Sequence, residues 1–303
     1  MADDTLPALP PRPAAGHKGT FGTVCVVGGQ AGTPRVMIGG PALSATAALR
    51  AGAGLVVLAV PAPLLPAALT IAPSATGLAL PVDADGTLLP SDVAQLLDEH
   101  LPQYDCLAVG PGLGDGPAQR QIVTRLVGRE QPAMVIDADA LNALAGAPEF
   151  QRDFRVPAVL TPHPGEYARL ARTLGIAHDP ARAGDPAARR CAAESLAQRI
   201  GCVVVLKGAG TVVSDGLRTW TNTTGNPALA TAGTGDVLTG VIAGLVAQYA
   251  SGPDGPLSLL DCARIGVYAH GLAADRWRDA HADGGLLAED LLRLLPDAVA
   301  SLR

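Results

Sequence analysis

Asp236 stands where a run of small, flexible residues meets an apolar stretch, in TGNPALATAGTGDVLTGVIAG from Thr224 to Gly244. Gly233 and Gly235 permit backbone conformations that aim several N–H groups at one spot, and a helix opening there adds its positive end. Ala232, Gly233, Thr234 and Gly235 would then form an anion hole. The helix end is expected to keep an adjacent carboxylate ionised, ready to take a proton from a hydroxyl attacking a phosphoryl group. A plainer alternative is an acidic residue in a first helical turn, worth about 0.3–1 kcal/mol, with glycines that serve helix packing. Neither a Walker A pattern nor G-x-G-x-x-G accompanies the loop.

Four other short segments carry reactive or ligand-facing residue types. KGAGT, from Lys207 to Thr211, reads as a glycine-bearing turn between two strands, and Lys207 can offer a compact charge to phosphates. LTPHPGE presents His163 and Glu166 from a loop fixed by prolines; His163 suits a structural hydrogen bond as well as a ligand contact. In GPGLG, Gly112 and Gly114 either make a tight turn or admit a ligand to the backbone. DADALN offers Asp139 as a helix cap and Asp137 as an orienter of the loop or of a metal-bound water.

Apolar runs without clear alternation precede most of these segments. Thr23 to Val27, Leu55 to Val60, Cys106 to Val109, Ala133 to Ile136, Val156 to Leu160 and Cys202 to Leu206 read as strands covered on both faces. Helices are expected at Gly40 to Ala51, Pro117 to Arg129, Gly165 to Thr173, Pro186 to Arg199, Gly235 to Tyr249, Leu259 to Arg278 and Leu286 to Ser301. The alternation predicts an α/β fold of three layers, α/β/α, around a mainly parallel central sheet. Thr211 to Trp220 reads as an antiparallel hairpin arm at its edge. Ligands of such sheets gather beyond the carboxyl ends of the strands, where the four segments fall.

The chain has 303 residues, 48% of them hydrophobic and 17% charged, with a net charge of −6. That length supports a core held by burial alone, and the acidic balance argues against nucleic acid, which selects basic faces. Lys18 and Lys207 are the only lysines. Five widely spaced cysteines without C-x-x-C are read as reduced core thiols of a cytoplasmic protein. Residues 1–16, rich in proline, are expected to be a flexible tail, with one domain over residues 17–303. Residues 51–82 carry no charge, but five prolines argue against a membrane span and for a buried strand followed by a proline-rich loop.

AGTGD opening a helix resembles the anion-hole signature of ribokinase-like small-molecule kinases. HKGTFG, VVGG, AALRAGAGLV, GPGLG, DADALN, LTPHPGE, KGAGT and NPALATAGTGDVLTG, in that order from residue 17 to 240, resemble the NAD(P)H-hydrate dehydratases more narrowly. The resemblance implies a ribokinase-like fold and a lyase of metabolite repair. It would restore NADH or NADPH from the hydrated form while consuming ADP, or ATP, with Mg²⁺. The epimerase domain fused to some members is not expected in this chain.

By the same resemblance Asp236 is the base that allows phosphorylation of the ring hydroxyl, and phosphate is then eliminated. Lys207, Gly208, Ala209, Gly210, Thr211 and Gly235 correspond to adenine-nucleotide contacts. Gly40, Gly112, Gly114, His163 and Asp236 correspond to contacts with the hydrate, Gly40 standing where the family usually has Ala. Glu166 takes the acidic place of a motif that organises Mg²⁺ through water, with His163 replacing its Asn. A homo-oligomer, a tetramer by resemblance, is implied. Two alternatives share the anion hole: a vitamin-precursor kinase of the hydroxyethylthiazole type, and a non-catalytic adenylate- or NAD-binding module.

Overall fold

Strands too apolar to leave either face in water must be covered twice, and the computed structural model, which describes residues 5–32, 34–177, 185–252 and 255–303, shows this arrangement. Nine strands form one sheet: β1 Thr23–Val27, β2 Leu55–Pro61, β3 Thr76–Leu80, β4 Cys106–Val109, β5 Ala133–Ile136, β6 Ala158–Leu160, β7 Val203–Leu206, β8 Val212–Ser214 and β9 Thr219–Thr221. Their order is β3-β2-β1-β4-β5-β6-β7-β8-β9. Every pairing from β3 to β7 is parallel. Only the β7–β8 and β8–β9 pairings are antiparallel, as the hairpin reading expected.

Among the described residues ten α-helices cover the sheet: α1 Gly39–Arg50, α2 Leu65–Ile71, α3 Pro90–His100, α4 Pro117–Val127, α5 Asp139–Ala145, α6 Pro164–Leu174, α7 Pro186–Ile200, α8 Thr234–Tyr249, α9 Leu259–Arg278 and α10 Ala288–Ala300. Side chains alternate across the strands into two cores. Val24 and Val26 of β1 join the core shared with α1, α8, α9 and α10, while Cys25 and Val27 join the core shared with α3 to α7. All three layers are thus present.

Three expectations are corrected. The uncharged stretch is more than a strand and a loop, because it adds helix α2 and the edge strand β3, whose residues are mostly exposed and so lack the apolar signature of a central strand. The described part of the expected loose tail lies against the body: Leu9 is buried, its N–H donates to Leu302 O at 2.7 Å, and Arg12 donates to Gly52 O and Gln248 Oε1. Residues 1–4 of that tail lie outside the described residues. All five cysteines are free, but Cys191 is exposed on α7 rather than in a core. No described helix is long and apolar enough to cross a membrane.

Helix packing fixes where Asp236 sits. An added Cβ on Gly240 would fall 2.1 Å from Ser44 O, and one on Gly244 would fall 2.7 Å from Ala48 O. The two glycines therefore let α8 lie directly on the backbone of α1. Ser44 Oγ donates to Asp236 O at 2.7 Å, pinning the first turn of α8 to α1. This contact brings Gly40 and Asp236 together.

Candidate active site

At the start of α8, Gly233 adopts the left-handed φ of 90° and no side chain caps the helix. The amides of Ala232, Gly233, Gly235 and Asp236 have no acceptor among the described residues, which leaves them available to an anion. From behind, Thr234 Oγ1 donates to Leu229 O and Thr231 O, and His270 Nε2 lies 2.9 Å from Thr234 O. Burial pushes the His270 imidazole down to about 4, so it is neutral and braces the turn as a donor.

The Asp236 carboxyl faces the first turn of α1, and a Cβ on Gly40 would stand 3.1 Å from its Oδ1. Its acidity differs from the sequence expectation. Burial, reinforced by the charge of Asp137 and opposed by Lys207, pushes it up to about 7 instead of holding it fully ionised. Desolvation outweighs the helix end here. A carboxyl poised near neutrality is better matched to general-base work than an ordinary aspartate.

Lys207 leaves the end of β7 and reaches back over the sheet. Its Nζ lies 2.6 Å from Asp137 Oδ1 and 3.9 Å from Glu166 Oε2. Burial would lower the ammonium pKa, but these carboxylates outweigh burial and raise it. The other Asp137 oxygen accepts from Thr239 Oγ1 of α8 at 2.7 Å. Asp137 thus ties β5 to β7 and α8 at once. The next residue, Ala138, has φ 51° and ψ −119°, a conformation costly for alanine that persists where its surroundings over-determine it.

Gly208, Ala209 and Gly210 of the KGAGT turn are exposed, and Thr211 Oγ1 closes the turn onto Gly208 O at 3.0 Å. Arg189 of α7 donates to Leu206 O and Lys207 O beneath it. Gly235 stands across from the turn, and its Cβ would lie 3.5 Å from Lys207 Nζ.

His163 caps α6: its Nδ1 accepts from Gly165 N and Glu166 N, while Glu166 Oε2 accepts from His163 N at 2.7 Å. Burial, followed by the charges of Lys207 and Arg169, lowers the His163 pKa, consistent with a neutral ring accepting at Nδ1. Its Nε2 lies 3.4 Å from Glu166 Oε1 and the side chain remains half exposed. Glu166 is pushed up to about 7 by burial, with Lys207 opposing.

Gly112 meets the start of α1, where its Cβ would lie 3.2 Å from Met37 and 3.7 Å from Pro41. Asp139 holds the same loop by accepting from Gly114 N at 2.8 Å. Gly40, Gly112, Gly114, His163, Lys207 and Asp236 therefore gather around the carboxyl ends of β4, β5, β6 and β7. HKGTFG, in contrast, precedes β1 and so belongs to the opposite end of the sheet. A cavity of about 620 Å³ lined by Asp98, Tyr104 and Arg129 also lies at that end.

Sequence reading missed Thr239, His270 and Arg189. Each acts through a partner distant in sequence, and none carries a local motif that would single it out.

No cluster of three or more His, Cys, Asp or Glu among the described residues makes a metal cage. Glu166 and Asp137 nonetheless suit a cation such as Mg²⁺, which keeps most of its waters and takes few carboxylates alongside phosphates.

The family profile described as NAD(P)H-hydrate dehydratase matches residues 24–297. The bifunctional NAD(P)H-hydrate repair enzyme of Moorella thermoacetica is 41% identical over 298 residues, covering 97% of this chain and 52% of that protein. That of Vibrio cholerae is 39% identical over 284 residues, covering 94% of this chain and 51% of that protein. The chain spans about half the length of these curated relatives. The ADP/ATP-dependent NAD(P)H-hydrate dehydratase of Bacillus subtilis, co-crystallised with ATP and Mg²⁺, superposes with a TM-score of 0.77 at 30% identity, covering 98% of this chain and 95% of that one. Hydroxyethylthiazole kinase of Pyrococcus horikoshii shares the fold alone, at a TM-score of 0.58 and 16% identity.

Proposed function

The chain belongs to the NAD(P)H-hydrate dehydratase family, and from that premise we propose that it converts hydrated NADH or NADPH to the normal dihydronicotinamide at the expense of an adenine nucleotide. The observation that carries this reading is the Asp236 carboxyl, poised at about 7 beside unsatisfied amides and within the electrostatic reach of Lys207.

Hydroxide is a poor leaving group. The ring hydroxyl attacks the terminal phosphorus of ADP, its proton passes to Asp236, and AMP departs with the bridging oxygen. The ring nitrogen lone pair then expels phosphate, and loss of a ring proton completes the carbon–carbon double bond. Amides of Ala232 to Gly235 stabilise the charge that develops on the transferring group, where losing one such donor costs about 10²–10³ in rate. Lys207 to Thr211 and Gly235 hold the nucleotide, while Gly40, Gly112, Gly114 and His163 border the hydrate. Glu166 would hold Mg²⁺ through water, and the cation would offset phosphate charge.

The preference for ADP, a homotetramer and a cytoplasmic location belong to the same reading. They are tested by comparing the two nucleotides, by light scattering and by fractionation.

Incubating the protein with hydrated NADH, Mg²⁺ and ADP or ATP should restore NADH absorbance and release phosphate. Absence of recovery with both nucleotides overturns the proposal. A stable phosphorylated thiazole alcohol, formed instead, would point to a vitamin-precursor kinase.

A further inference from the structure

Beyond Gly114 and His163, away from the Lys207 turn, a second cavity opens between α5 and α6. Its volume is about 580 Å³, and Asp115, Asn142, Arg169, Arg172 and Thr173 line it. A chain of contacts joins it to the candidate active site. Asp139 accepts from Gly114 N and lies 3.5 Å from Asn142 Nδ2. Asn142 Oδ1 in turn accepts from Arg169 Nε at 2.8 Å, and an added Cβ on Gly165, beside His163, would stand 3.8 Å from an Arg169 terminal nitrogen. Thr173 Oγ1 donates to Ala145 O at 2.7 Å, fixing α6 against α5 along the floor.

The charge of this cavity is opposite to that of the chain. Among the described residues neither Arg169 nor Arg172 has a carboxylate within ion-pair distance, and Asp115 at the rim is 3.5 Å from Arg120. Arg172 has no side-chain hydrogen bond among the described residues. Two exposed guanidinium groups, one of them aimed by Asn142, have the charge and donors that suit a phosphate, in a protein of net charge −6.

We propose that Arg169 and Arg172 bind a phosphate of the dinucleotide hydrate, so that the substrate enters between α5 and α6 with its ring directed past Gly114 and His163 toward Asp236. This rests on the reading that the substrate is a hydrated dinucleotide. With the reacting ring at Asp236 and the co-substrate over the Lys207 turn, the remainder of the dinucleotide must leave by another side. The arginine cavity adjoins Gly114 through Asp115 in its lining and is tied to that loop through Asp139 and Asn142. Its volume is within the usual range for a small-molecule site.

Arg169→Gln and Arg172→Gln should each raise KM for hydrated NADH and NADPH about tenfold, the size expected for one lost charged hydrogen bond. Both kcat and KM for ADP should stay unchanged. Hydrated reduced nicotinamide riboside, which has no phosphate, should not discriminate between wild type and variants. A loss restricted to the NADPH forms identifies the 2′-phosphate; equal losses for both dinucleotides identify the bridging pyrophosphate. Titration of NADH and NADPH fluorescence gives the same comparison without turnover, and it still decides the role of the arginines if the wild-type protein dehydrates nothing. Unchanged dinucleotide affinity in Arg172→Gln with an unaltered Tm, or a rise in KM for ADP alone, overturns the proposal.

Discussion

Lys207 Nζ lies 2.6 Å from Asp137 Oδ1, so the only lysine of the candidate site is held by a carboxylate 70 residues earlier in the chain. Asp137 is almost wholly buried and Lys207 mostly so. Removing one partner leaves the other charge in a poor environment. Lys207→Met is expected to cost about 3 kcal/mol in denaturant unfolding and to raise KM for the nucleotide. The double variant Lys207→Met/Asp137→Asn should regain most of the stability and none of the nucleotide affinity. Equal loss of stability in both variants would show that the pair is not the cause.

Asp236→Asn removes the proton acceptor while keeping the shape of the side chain. Turnover is expected to fall by about 10²–10⁴-fold, with nucleotide binding retained when followed by calorimetry. A variant with more than a tenth of the original kcat would remove Asp236 from the role of base.

The carboxyl of Asp236, pushed up to about 7, accepts protons only once ionised. Consequently kcat/KM should fall tenfold per pH unit below about 7 and level off above it.

Stability should run the other way. Between the ordinary carboxylate range and about 7 the folded protein holds protons on Asp236 and Glu166 that the unfolded chain has released, so their contribution is lost as pH rises through that window. Thermal melts from pH 5 to 8 should show Asp236→Asn gaining on the wild type as pH increases. A constant difference would contradict the raised pKa of Asp236.

Gly240→Ala places a methyl carbon 2.1 Å from Ser44 O. Helices α1 and α8 must separate, at a cost of about 1–3 kcal/mol. Because Ser44 also anchors Asp236, kcat should drop although residue 240 touches no substrate. Unfolding curves together with kinetics separate this from a simple loss of folded protein.

For His163, cap and contact can be divided. His163→Ala should lose about 1 kcal/mol with the helix cap and weaken hydrate binding; His163→Asn should recover the stability and leave the binding defect. Full recovery of both would reduce His163 to a cap.

Much of the frame was legible in the sequence because its signals are local. Uniformly apolar runs marked β1, β4 and β5 to the residue, since strands covered on both faces admit no polar positions. Glycines and prolines marked their ends, and Pro186 and Gly235 lay within one residue of helix starts. The edge strand β3 and the short helix α2 escaped because partial exposure erases periodicity, and the packing of residues 5–16 escaped because Leu9 is held by the backbone of Leu302, far along the chain.

What the amino-acid order determined by itself was the set of loops: which residues end each strand and hence reach the carboxyl edge of the sheet. Tertiary structure alone decided their chemistry. The raised pKa of Asp236, the pairing of Lys207 with Asp137 and the brace from His270 all depend on distance and desolvation. Those quantities exist only when segments separated by tens of residues share one low-dielectric space.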